Sequence, residues 1–399
     1  MALRLKLRSS ISFLQIRRRF STSILNPNSN TPLTSKEKSR AALSLLRAEK
    51  NPERILDICR AASLTAESHL DRAAYSRAIF RLRELNYFNG IRAFIQESVA
   101  RPDTKSERSI SHFIVLYGQA GMLNDARKMF EEMREMGLDR TVKTLNSLLF
   151  ASVLAKDYKE MKRVFMEFPN IYGIVPNLDT YNTVIKGLCE SGDSSSCYSI
   201  LAEMARKGVK PDATTFGTMI AGFYREEKFE DVGKVLEMMK EHKIAPGISI
   251  YNIRIQGLCK LKRSKEAKAL FEGILSRGYK PKNVTYSHLI LGFCKEGDLE
   301  EAKGLFEQMV KRGIQPEGDC YFTLVYFLCK GEDFEAALKI CKDCLAKGWV
   351  PYFTTMKLLV GGLASISKVD EAKEIIAQVK EKFSGNADRW TEIEEGLAK

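Results

Sequence analysis

The chain has 399 residues, 44% of them hydrophobic and 28% charged, which is enough apolar content for a large core and too much for a disordered chain. No apolar run approaches the ~20 residues of a membrane span, so no membrane partner is expected. The formal net charge is +13, and Arg4, Lys6, Arg8, Arg17, Arg18 and Arg19 put +6 of it into residues 1–35, leaving a mildly basic body of +7 that suits a polyanionic partner.

Residues 1–30 are rich in Arg and Ser, contain no acid and alternate apolar with basic residues, the pattern of an organellar targeting segment. The stretch Arg17-Arg18-Arg19-Phe20-Ser21-Thr22-Ser23 resembles a plant mitochondrial processing site with cleavage near Phe20, so a mitochondrial transit peptide and a matrix location are expected. A chloroplast address and a basic RNA-binding tail are the alternatives. Residues 31–71 hold the end of a Pro/Ser/Asn/Thr linker and a degenerate first helical unit, in which Asn51 and Pro52 open a helix carrying Ile55, Leu56, Ile58 and Cys59.

From Arg72 the chain keeps one period. Pro176, Pro211, Pro246, Pro281, Pro316 and Pro351 are each 35 residues apart, and in five of the six cases a glycine precedes by three: Gly173, Gly208, Gly278, Gly313 and Gly348. Gly then Pro just past a helix is a stop signal. Tyr181, Phe216, Tyr251, Tyr286 and Tyr321 run in step, as do Gly187, Gly222, Gly257 and Gly292, the alanines Ala267, Ala302, Ala337 and Ala372, and the cysteines Cys189, Cys259, Cys294 and Cys329. Columns of this kind mark a stacked array of one supersecondary unit. The array covers 72–387 in about nine repeats. The unit 142–177 carries one extra residue, placed in the loop around Pro169–Gly173, and 388–399 is left as a C-terminal cap.

Each unit reads as helix, short turn, helix. In 248–282, Ser264 is positioned to cap the second helix, where Ala267, Leu270, Phe271, Ile274 and Leu275 follow at the spacing of a core-facing stripe. The glycine column lies mid-helix at a cost of ~1 kcal/mol each against Ala, which close helix approach would offset. The aromatic column at helical spacing reads as core in preference to a base-stacking platform, and the cysteine column as small buried apolar residues in a reducing compartment. Cys341 and Cys344 form a lone CxxC without a second pair or a histidine ligand, so no metal is expected.

These residues resemble the pentatricopeptide repeat of the P type, with uniform 35-residue units. The resemblance is carried by Leu178-Asp179-Thr180-Tyr181-Asn182-Thr183-Val184-Ile185-Lys186-Gly187-Leu188-Cys189 and Glu203-Met204-Ala205-Arg206-Lys207-Gly208-Val209-Lys210-Pro211-Asp212. It implies an all-α fold, a right-handed α-solenoid of helix-turn-helix repeats in an organelle, binding single-stranded RNA at about one base per unit. It also implies that the fifth residue of the first helix and the last residue of the unit read that base. Carried onto this chain, Asn182 with Asp212 matches a uridine-type pair and Asn146 with Asn177 a pyrimidine-type pair. Ser76 with Ser106, Ser111 with Thr141, Gly217 with Gly247, Asn252 with Lys282, Ser287 with Glu317, Phe322 with Tyr352 and Lys357 with Ala387 depart from the pattern. Arg225, Lys260, Lys295 and Lys330 end successive first helices, on the side that the family turns toward its concave groove, and are the candidates for phosphate contact. Lys207, Arg277, Arg312 and Lys347 end second helices, where a cation offsets exposed carbonyls.

No catalytic constellation is present: His69, His112, His242 and His288 are scattered, and P-loop, GxSxG and deaminase-type HxE with PCxxC elements are missing. The chain therefore reads as a non-enzyme that needs no cofactor and no small-molecule substrate. The stretch Ile55–Leu64, with Ser106-Glu107-Arg108 and Ile114-Val115-Leu116-Tyr117-Gly118, resembles a small plant subgroup associated with mitochondrial ribosomes. The expected function is RNA binding in mitochondrial translation, with ribosomal RNA and mitochondrial ribosomal proteins as partners. The alternatives are a sequence-specific binder of an organellar mRNA and a protein–protein scaffold.

Overall fold

The computed structural model describes residues 24–25, 33–382 and 387–397. The expected targeting segment, residues 1–30, lies outside the described residues apart from Ile24 and Leu25. Among the described residues every regular element is a helix, and no helix is long and apolar enough to cross a membrane. They fall into two units, Met1–Pro211 and Asp212–Lys399.

In the first unit Ser35–Ala48 pairs with Pro52–Ala62, His69–Glu84 with Phe88–Val99, Glu107–Ala120 with Leu123–Glu131, Val142–Leu154 with Tyr158–Tyr172, and Leu178–Glu190 with Cys197–Arg206. In the second, Ala213–Arg225 pairs with Phe229–Glu241, Ile248–Lys260 with Ser264–Ser276, Asn283–Glu296 with Leu299–Lys311, Gly318–Lys330 with Phe334–Ala346, and Phe353–Ser365 with Val369–Lys382, followed by Ala387–Leu397. Within each unit a first helix packs on its own second helix and on the first helix of the next pair, so the pairs stack as an α-solenoid.

The sequence columns become layers of this stack. Tyr181, Phe216, Tyr251, Tyr286 and Tyr321 are all buried, and Phe165, Phe271 and Phe306 meet Tyr181, Tyr286 and Tyr321 edge-on at centroid distances of 5.1–5.8 Å. The aromatic column is therefore core. Burial pushes the Cys259 thiol up to about 11 and those of Cys294 and Cys329 up to about 12, so these are neutral packing groups. Cys341 and Cys344 are buried likewise, with Cys341 Sγ 3.5 Å from Met356 Sδ and Cys344 Sγ donating to the Trp349 carbonyl at 3.5 Å.

The glycine column marks close approach. A Cβ on Gly257 would stand 2.5 Å from Tyr224 Cγ, and one on Gly292 would stand 2.6 Å from Ser264 Oγ. At the far end of each repeat Gly173, Gly208, Gly278, Gly313 and Gly348 hold φ between 66° and 80°, the left-handed conformation that ends the second helix. Lys243 takes that place before Pro246, with φ 57°.

Two local expectations are corrected. Ser264 does not cap Ser264–Ser276. It is the first helical residue and fully buried, and its backbone N–H (2.9 Å) and hydroxyl both donate to Glu296 Oε1 from the next first helix. A carboxylate from outside thus serves the helix start that the serine, facing Gly292, leaves uncapped. The extra residue of unit 142–177 is not in the loop either. Tyr158–Tyr172 absorbs it as a helix of 15 residues with Pro169 inside, against 13 in Phe229–Glu241 and Ser264–Ser276.

Candidate nucleic-acid interface

The last residue of a unit is the N-cap of the following first helix. Ser106, Thr141, Asn177 and Asp212 all hold extended backbone there, and their side chains accept from the backbone N–H of Ser109, Lys143, Thr180 and Thr215. This is the chemistry that favours Ser, Thr, Asn and Asp at a helix start. Gly247, Glu317 and Tyr352 stand at the same point without a side-chain cap.

Asn146 and Asn177 are brought together. Asn177 Oδ1 accepts from Thr180 N at 3.0 Å, and a backbone N–H can only donate, so this contact fixes which end of the Asn177 amide is oxygen. Asn146 Nδ2 then donates to the same oxygen at 3.1 Å. That turns Asn146 Oδ1 toward Thr180, whose hydroxyl donates to it at 2.6 Å while accepting from Asn177 N at 3.1 Å. Every oxygen of the pair is engaged, and the remaining amide hydrogens of Asn146 and Asn177 have no acceptor among the described residues. The pair therefore presents free N–H donors, which complement a group with acceptor atoms.

Thr180 belongs to a further column with the 35-residue period. Ser109, Thr144, Thr180, Thr215, Thr285 and Thr355 occupy the third position of their first helices and are all buried. In Ile248–Lys260 and Asn283–Glu296 the arrangement recurs, with Thr285 Oγ1 donating to Asn252 Oδ1 at 2.8 Å and accepting from Lys282 N at 3.4 Å. The 35-residue spacing was the available signal, but a threonine beside an aromatic core residue reads as helix surface until its partners are known.

The other described pairs that lie within one unit do not close in this way. Asn182 lies on Leu178–Glu190 in the first unit, and Asp212 opens Ala213–Arg225 in the second, where its Oδ1 accepts from Thr215 N at 2.8 Å. Ser287 bonds Asn283 and Cys320, and Phe322 packs on Tyr352 with ring centroids 5.6 Å apart. Among the described pairs that lie within one unit, only Asn146 and Asn177 are hydrogen-bonded to each other.

Arg225, Lys260, Lys295 and Lys330 are exposed at the ends of their first helices, eight residues beyond the fifth position, or about 12 Å along the same face. Lys260, Lys295 and Lys330 make no ion pair among the described residues, whereas Lys268, Lys303, Lys342 and Lys368 on the second helices and turns do. Arg225 and Lys260 line one surface pocket of about 210 Å³. Lys260 also helps burial to hold His288, at the sixth position of the next repeat, below its usual range. Lys330 shares another pocket with Lys357, the fifth residue of its own repeat's successor. The cation of one repeat thus reaches the middle of the next first helix.

The family models that match the chain all describe the pentatricopeptide repeat. The PPR repeat family model matches 176–225, 246–294 and 281–330, the pentatricopeptide repeat domain model matches 128–190, and the PPR repeat model matches 111–138 and 214–244. A mitochondrial pentatricopeptide repeat-containing protein of Arabidopsis thaliana is 56% identical over 367 residues, covering 92% of this chain and 91% of that protein. The small ribosomal subunit protein mS78 of Arabidopsis thaliana is 32% identical over 194 residues, covering 48% of this chain and 49% of its own. The crystal structure of the maize pentatricopeptide repeat protein PPR10 aligns with a TM-score of 0.44 at 17% identity, covering 91% of this chain and 66% of that one.

Proposed function

Because the chain belongs to the pentatricopeptide repeat family, we propose that it is a non-catalytic RNA-binding protein of the mitochondrial matrix, associated with the mitochondrial ribosome and supporting translation. The observation that carries this reading is the imbalance on the first-helix face. The exposed cations Lys260, Lys295 and Lys330 make no ion pair among the described residues, while one pair, Asn146 with Asn177, is joined within a unit. Phosphate contact gives affinity without sequence, and base contact gives sequence. A surface richer in the first than in the second suits a structured RNA held in place by a larger assembly. The identity to mS78 over half of each chain supports the same reading, as does the mitochondrial relative at 56%.

The role of each residue follows. Lys260, Lys295, Lys330 and Arg225 neutralise successive phosphates as point charges. Asn146 and Asn177 receive the acceptor edge of a pyrimidine, and Asn182 and Asp212 are each candidate contacts to uridine. Sedimentation of a mitochondrial extract tests the assignment. The protein is expected to co-migrate with a ribosomal subunit and to move to the top of the gradient after RNase treatment. A protein that stays at the top in every condition sinks the ribosomal reading, and a single crosslinked footprint on one messenger would replace it with transcript selection.

A further inference from the structure

The first unit lacks the cation column. At the equivalent positions it carries Glu84, Gln119, Leu154 and Glu190. Its positive charge on the first-helix face is gathered elsewhere. Arg72, Arg108 and Lys143 come from the first turns of His69–Glu84, Glu107–Ala120 and Val142–Leu154, and line one surface pocket of about 520 Å³. A cation in the first turn opposes the helix dipole, which favours negative charge there. The helix-end explanation that fits Lys207 or Arg312 therefore does not apply.

Local ion pairing does not account for the cluster. Arg108 meets Glu67 at 3.2 Å with both side chains more than half exposed, a contact of small worth. Lys143 is exposed and has no side-chain partner among the described residues. Glu107, the carboxylate in the wall, is engaged by the Thr141 hydroxyl. Two further wall residues are unfinished: Ser111 Oγ and His112 Nε2 are buried without a hydrogen-bond partner. Buried polar atoms are normally satisfied, so both call for a group that the protein itself does not supply. Burial, with Arg72 second, lowers the His112 pKa to about 4, so its ring is neutral near pH 7 and serves as a hydrogen-bonding wall.

We propose that this pocket binds a phosphate group of single-stranded RNA, an anchor in the first unit separate from the lysines of the second. Cations from three successive first helices line it, and its volume admits the phosphate with its ribose. The proposal rests on the RNA-binding reading for the source of the phosphate, and the experiment separates the two. A fluorescein-labelled 12-residue oligouridylate is titrated by anisotropy across a salt series with the parent chain, with Arg108→Gln/Lys143→Gln, and with Lys240→Gln as control. The double variant is expected to bind about 10-fold more weakly at low salt, with a salt slope shallower by roughly 0.7, the value for one lost phosphate contact on a single strand. The control is expected to match the parent chain.

An unchanged affinity and slope in the double variant, with the parent binding the oligomer, overturns the anchor and leaves RNA binding intact. If the parent does not bind the oligomer, calorimetry with uridine monophosphate and with inorganic phosphate decides. Binding abolished by Arg108→Gln/Lys143→Gln retains a phosphate site filled by a free nucleotide, and no binding overturns it. Binding of polyglutamate alone overturns it in favour of an acidic polypeptide.

Discussion

The hydroxyl of Thr180 takes the backbone N–H of Asn177 and gives its proton to Asn146 Oδ1. One side chain thus orients both members of the proposed reading pair. Thr180→Val leaves an N–H and an amide oxygen without partners, which costs about 1–2 kcal/mol, and it frees the Asn146 amide to turn over. The expected result is a lower Tm together with weaker discrimination between oligomers that differ at one base, while affinity at low salt stays near that of the parent. Thr180→Ser should restore the discrimination. A Val variant that loses stability but still discriminates as well as the parent would reduce the threonine to a helix cap.

Several second helices end, and several neighbouring helices approach one another, through glycine, and the exceptions carry the information. Lys243 holds φ 57° at the position that Gly208, Gly278, Gly313 and Gly348 occupy in neighbouring repeats, so Lys243→Gly is expected to raise stability by about 0.5–1 kcal/mol in chemical denaturation. Gly257→Ala should do the opposite. The new Cβ meets the Tyr224 ring at 2.5 Å, and overpacking of about 1–3 kcal/mol outweighs the ~1 kcal/mol gain in helix propensity. Gly187→Ala should cost less, because the atom in its way is the flexible end of Met161. These positions also show what the sequence makes readable. Periodic Gly, Pro and aromatic residues report backbone conformation and burial directly, so the fold was legible from them. Ser264 was assigned the wrong role because its partner, Glu296, lies 32 residues away on another helix. The Thr180 column was invisible for the same reason. The candidate base contacts were legible only through resemblance, whereas the joining of Asn146 to Asn177 needed coordinates.

Stability in a stacked array is a sum over neighbours, and the last neighbour has only one. Trp390 from Ala387–Leu397 is buried against Phe353, ring centroids 4.8 Å apart, with the Arg389 guanidinium 4.5 Å from the same ring. Trp390→Ala is expected to remove about 3–5 kcal/mol. The loss should be local: hydrogen exchange rises across Phe353–Ser365 and Val369–Lys382 and stays unchanged in Ile248–Lys260. Faster exchange throughout the second unit would mean that the array opens as one cooperative body.

A different consequence follows from where each repeat begins. The side chain proposed to face a nucleotide at the end of one unit is also the atom group that starts the next helix, at Asn177 as at Asp212. Any edit that rewrites the ligand preference at this seam also edits the folding signal of the succeeding repeat. A substitution to a large apolar or cationic residue is then doubly penalised, unless the downstream helix finds its nucleation elsewhere. Gly247, Glu317 and Tyr352 mark repeats in which that second demand has been relaxed. An engineer seeking new specificity would therefore be freest to vary the chain at those three seams, and most constrained at Asn177 and Asp212.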